Sequence, residues 1–164
     1  MRNTDRFRIH LNEFGDLLDK SAFHSEWEPI FDFIAEQVNT QTSIRDFLQR
    51  EKVVHGFLAA YLNIVDYFAC YTEPEFNKGY ADMWLEPIVV KYPDIQYGCL
   101  IELKYISRGD YTEAALQEKI TKAKKQINNY QKDPFLQERT KATKLLKLIL
   151  VFNGWELVHK EQVE

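Results

Sequence analysis

The stretch Leu100-Ile101-Glu102-Leu103-Lys104-Tyr105 decides how this chain is read. Apolar residues surround it on both alternating faces, so it reads as a central strand covered on each side. Glu102 and Lys104 stand two positions apart and therefore project from one face. Ionised groups are costly in such a place unless they meet a cleft, a partner or a metal. Upstream, Gly79-Tyr80-Ala81-Asp82-Met83-Trp84-Leu85-Glu86 reads as a second strand with an aspartate at its middle, where aspartate is disfavoured. If the two strands are neighbours, Asp82 and Glu102 can share one hard cation.

Magnesium, or manganese in its place, suits that pair. It takes oxygen ligands, keeps several waters, and is usually held by one or two carboxylates together with a substrate phosphate. Lys104 beside the cation would position or help deprotonate a water and offset charge in a transition state. The competing reading is a structural Glu–Lys ion pair in an unrelated scaffold.

Working outward, short apolar runs over 67–72, 80–86 and 99–106 predict three strands, with Asn77-Lys78-Gly79 as a turn between the first two. Before them, apolar residues at helical spacing predict a helix over 43–63. Glu51 and His55 fall near the centre of its apolar stripe, one turn apart, and either could bind the metal or orient a ligand. A satisfied core histidine is the alternative. After the strands, Leu116, Ile120, Ala123, Ile127 and Tyr130 predict a helix over 112–132 that stops before Pro134. Gln126 and Tyr130 lie on one side of it, four apart, where both could reach the site or simply pack. A strand over 145–152 and a hairpin through Asn153-Gly154 to 155–158 complete the chain. This order predicts an α/β fold, with helices packed on a mixed sheet.

Two further helical patterns precede this core, the second after a Ser25-Glu26-Trp27-Glu28 capping box. They predict a helical lead-in over 1–42 and an α/β domain over 43–164. With 164 residues, 45% of them apolar, one core is the expectation. The longest apolar runs are far shorter than the roughly 20 residues of a membrane span, and no signal-peptide core follows the N-terminus. The expectation is a soluble, cytoplasmic protein without membrane contact. Cys70 and Cys99 lie in apolar runs without metal-ligand spacing and read as buried thiols.

The net charge of −4 hides an uneven distribution. Segment 113–147 holds nine basic and four acidic residues, which suits either a solvated helix face or a surface that tracks a polyanion.

Asp82, then Glu102-Leu103-Lys104, then Gln126 and Tyr130 resemble the PD-(D/E)XK nuclease superfamily, and the glutamine with a tyrosine four residues later resembles its RecB-like branch. Arg45-Asp46-Phe47, Asn77-Lys78-Gly79-Tyr80-Ala81-Asp82 and Phe152-Asn153-Gly154-Trp155-Glu156-Leu157 extend a closer likeness to the C-terminal nuclease-like domain of bacterial AAA-ATPase-like proteins. The resemblance implies a restriction-endonuclease-like core of helix, three strands, helix and strand. It implies Asp82 and Glu102 as metal ligands and Lys104 as the catalytic lysine. A histidine on the first core helix joins the metal in RecB-like nucleases; His55 is the matching position, with Glu51 nearly as well placed. Ala81 replaces the proline of the superfamily's name. The implied activity is metal-dependent hydrolysis of nucleic acid, DNA above all. Its alternative is a binding or interaction module that keeps the fold without turnover. No phosphate-binding loop of the Gly-x-x-x-x-Gly-Lys-Ser/Thr type occurs, so an associated AAA-type ATPase domain would lie outside these residues. Cutting both strands of a duplex would favour a homodimer with paired sites.

Overall fold

A computed structural model describes residues 4–40, 51–64 and 66–164, with side chains in the first helix from Leu11 onward. Two helices, α1 (Thr4–His24) and α2 (Glu28–Thr40), come first, followed by α3 (Glu51–Leu62). The expected helix start at 43–50, and with it the Arg45-Asp46-Phe47 motif, lies outside the described residues. Strand β1 (Phe68–Thr72), a small hairpin of β2 (Glu75–Phe76) and β3 (Gly79–Tyr80), then β4 (Met83–Pro87) and β5 (Tyr97–Ile106) follow. The chain continues through a 3₁₀ turn, α4 (Glu113–Tyr130), the short α5 (Pro134–Arg139), β6 (Lys144–Asn153) and β7 (Glu156–Val163).

Five strands form one sheet in the order β1-β4-β5-β6-β7. Its pairs are antiparallel except β5 with β6, which run parallel and need the crossover that α4 and α5 supply. The sheet is mixed and flanked by helices on both faces, as the sequence predicts. On one face Cys99, Ile101 and Leu103 of β5, with Leu148 and Leu150 of β6, pack among Phe14, Leu18, Phe31, Ile34 and Leu58 of α1–α3. On the other, Ile106, Ile149 and Val151 pack against Leu116, Ile120 and Ala123 of α4. Period-two alternation in β5 and β6 therefore feeds two cores. Trp27 also donates from Nε1 to Oε1 of Gln162 at 3.0 Å, tying the start of α2 to β7.

Several details depart from expectation. Ser25 is no N-cap: its φ of 61° is left-handed and terminates α1, and α2 begins only at Glu28. Pro134 does not merely follow a helix. It opens α5, whose N-cap Asp133 accepts from the backbone N–H groups of Phe135 and Leu136. Asn77-Lys78 does turn the chain, with both residues at positive φ, as a two-residue hairpin requires. It joins β2 to β3, however, an inserted hairpin rather than a direct link between β1 and β4. The terminal hairpin runs to Val163 rather than stopping at 158.

Candidate functional site

Met83 of β4 pairs with Ile101 of β5, and continuing that antiparallel register by one residue sets Asp82 opposite Glu102. Asp82 does not stand mid-strand. It occupies the break between β3 and β4, where its backbone carbonyl and carboxylate both find donors from other elements. Its Oδ2 accepts from the backbone N–H of Leu103 at 2.7 Å. Its carbonyl accepts from the N–H of Glu73 at 3.0 Å and lies 2.7 Å from Nε2 of His55. The aspartate disfavoured in a strand is thus stabilised where pairing lapses.

Glu102 is buried, at 1% exposure, on the α4 face of β5. Lys104 donates from Nζ to its Oε2 at 2.7 Å and stands 4.0 Å from Oδ2 of Asp82. Glu102 Oε1, by contrast, has no hydrogen-bond partner among the described residues. Burial, and after it the facing charge of Asp82, pushes the Glu102 carboxyl up to about 8, against the pull of Lys104. One lysine is therefore insufficient compensation for two opposed carboxylates. A hard cation would supply the missing positive charge and take the orphaned oxygen as a ligand. Asp82 and Glu102 fit magnesium, which uses few carboxylates; no cluster of three or more His, Cys, Asp or Glu side chains stands ready for a metal among the described residues.

Tyr130 lies buried beneath the β2–β3 hairpin and donates from its hydroxyl to the carbonyl of Tyr80 at 2.8 Å. Gln126 donates from Nε2 to that hydroxyl at 3.3 Å, and its own Oε1 has no partner among the described residues. Burial first, then the nearby Glu102 and Asp82 charges, raises the Tyr130 phenol. Tyr130 therefore senses the carboxylates electrostatically and, supported by Gln126, holds the hairpin in place.

Glu51 and His55 differ from expectation. The buried face of α3 is Val54, Leu58 and Leu62, while Glu51 is exposed and His55 half-buried. A helical wheel gives direction but not height along the axis. The first turn stands at the mouth of a cleft of about 600 Å³, which Glu51, Lys52, His55 and Gly56 line together with Thr72, Glu73 and Asp82. His55 thus contacts Asp82 through its main chain. Sequence reasoning missed Glu73, whose φ of 52° is unusual for a residue other than glycine. The Glu73-Pro74 pair signals a turn, but Pro74 would bias Glu73 toward extended backbone.

The basic segment is less free than its composition suggests. Lys124 pairs with Glu161 at 2.7 Å, Arg139 pairs with Glu86, Lys141 with Glu138, and Lys147 donates to Gln131 at 2.7 Å. Among the described residues, exposed Lys122, Lys125 and Lys132 have no such partner. Cys99 is a fully buried free thiol, pushed up to about 12 by desolvation, and Cys70 is a free, half-buried one.

The arrangement is that of an α/β protein with two opposed carboxylates and a lysine, Asp82 just before β4 and Glu102 and Lys104 on the neighbouring β5. A family model described as the PD-(D/E)XK nuclease superfamily matches residues 49–162, and the chain belongs to that superfamily. No curated protein and no solved structure matches it. No helix among the described residues is long and apolar enough to cross a membrane.

Proposed function

We propose that this protein hydrolyses phosphodiester bonds of DNA, with a magnesium or manganese ion held by Asp82 and Glu102 and with Lys104 as the catalytic lysine. The observation that carries the reading is the Glu102 carboxylate, buried and facing Asp82, with Oε1 unpartnered. Membership in a nuclease superfamily supports the reaction class. A cation held there by Asp82 and Glu102 would supply Lewis-acid polarisation of the scissile phosphate and acidify a water.

The chain's own residues define the rest. Lys104 is fixed by Glu102 and lies near Asp82, so its ammonium meets charge developing on the phosphate oxygens. The Leu103 N–H holds one oxygen of Asp82, leaving the other for a ligand. His55 and Glu51 border the cleft, where His55 steadies the Asp82 main chain and Glu51 is placed to orient water. Gln126 and Tyr130 keep the hairpin against α4 beside the carboxylates. The AAA-ATPase-like resemblance supports a native setting in which an ATPase module accompanies this nuclease, in the cytoplasm.

Lys104→Ala tests the assignment. It should leave the melting temperature and manganese affinity nearly unchanged while removing most cleavage of plasmid and linear DNA, because a transition-state contact acts on turnover. Full cleavage by the purified variant would move the activity to another group.

A further inference from the structure

Beside the carboxylates, on the same face of β4, lies a pocket that their chemistry does not use. It measures about 410 Å³ and is lined by Tyr71, Phe76, Trp84, Glu86, Phe135 and Arg139, among others. Its floor is the Trp84 ring, with Tyr71 stacked at 5.2 Å and an interplanar angle of 24°. Phe76 and Phe135 meet Trp84 edge-on at 5.5 Å and 6.3 Å. Two of these rings remain open to solvent, Tyr71 at 42% and Phe135 at 59% exposure. Trp84 itself is 2% exposed, yet its Nε1–H has no acceptor among the described residues. A buried donor without an acceptor is costly, and here the N–H is sealed from the pocket, so the exposed rings and the rim, not the indole, are what a ligand would meet.

We propose that this pocket binds an unpaired nucleobase, making nucleic acid with single-stranded character the substrate class of the neighbouring site. The proposal rests on the nuclease reading above. A base offers a flat π-face for the exposed rings of Tyr71 and Phe135. Glu86 and Arg139, paired at the rim, add an acceptor and a donor for a base edge.

Position agrees with the chemistry. By strand alternation Asp82, Trp84 and Glu86 share a face, and Trp84 stands about 7 Å along the strand from Asp82. At roughly 3.4 Å per stacked nucleotide, a base in the pocket belongs one or two nucleotides from a phosphate at the carboxylates. Lys78 on the hairpin turn and Lys132 after α4 are exposed and unpaired among the described residues, and both can follow the backbone between. The hairpin that separates pocket and carboxylates is fixed to α4 and to the cap of α5: Asn77 Nδ2 donates to Asn129 Oδ1 at 2.8 Å, and the Asn77 N–H to Asp133 at 2.7 Å. Within a duplex, bases are stacked on both faces and cannot enter.

The test compares a fluorescent single-stranded oligonucleotide with a blunt duplex of equal length, bound to the full chain in chelator so that no cleavage intervenes. Phe135→Ala, at an exposed position, should weaken single-strand binding by about tenfold or more and change duplex binding by less than about twofold. Phe135→Trp should restore it. Equal weakening of both forms, no weakening of either, or no binding of either by the unaltered protein would overturn the proposal, the middle result returning the pocket to protein docking. Lys104→Ala should keep the single-strand preference. Failure of the nuclease reading would appear instead as absent cleavage with the preference intact.

Discussion

At the scale of single residues, Glu102 carries an uncompensated cost: it is buried, faces Asp82 and leaves Oε1 without a partner among the described residues. Its carboxyl is pushed up from an ordinary 4.5 to about 8, mainly by burial and next by Asp82. Between these values the folded metal-free protein holds a proton that the unfolded chain releases, so stability falls as pH rises through this window. We expect the melting temperature in chelator to drop from pH 5 to pH 8.5, and Glu102→Gln to flatten that slope. Thermal melts of both proteins across the range check it; identical slopes would show that Glu102 is not the titrating group. The Glu102–Lys104 pair was legible from two-residue spacing in an apolar run. Glu73 was not, because its left-handed backbone and its bond to the Asp82 carbonyl depend on a hairpin inserted between strands.

At the scale of elements, α4 joins three tasks. Leu116, Ile120 and Ala123 cover the sheet, Gln126 and Tyr130 hold the hairpin, and Lys122 and Lys125 face solvent. Its start was placed near Thr112 by helical spacing, and Thr112 proves to cap it, accepting from the Ala115 N–H at 3.0 Å. Its apolar seam was readable from helical spacing. What the lysines do was not, since net charge cannot tell those committed to Glu161, Glu138 or Gln131 from those left free. If the free pair tracks a nucleic-acid backbone, reversing Lys122 and Lys125 to Glu should weaken DNA binding and reduce the slope of log affinity against log salt by roughly 2. Titrations at several salt concentrations measure this. An unchanged slope would make the helix face merely solvated. Gly79 shows how closely hairpin and helix approach: a Cβ there would lie 2.7 Å from Cε1 of Tyr130.

At the scale of the whole molecule, the order of the main helices and strands, though not the short β2–β3 hairpin and α5, was legible because the period changes from 3.6 to 2 and back. Strand pairing was less so. Nothing local announces that β5 joins β6 in parallel, or that the register continues to bring Asp82 opposite Glu102. The same long-range pairing explains why Asp82 was placed mid-strand: apolar residues flank it on both sides from Tyr80 to Leu85, and the interruption arises only where Leu103 engages its carboxylate and Glu73 and His55 its carbonyl. The sheet thus serves the site by holding two carboxylates in opposition, a cost that a divalent cation would offset. Calorimetric titration of manganese into the full chain tests this most directly. Weak binding by the unaltered protein, abolished in both Asp82→Asn and Glu102→Gln, is the predicted result; unchanged affinity in the two variants would contradict the metal site.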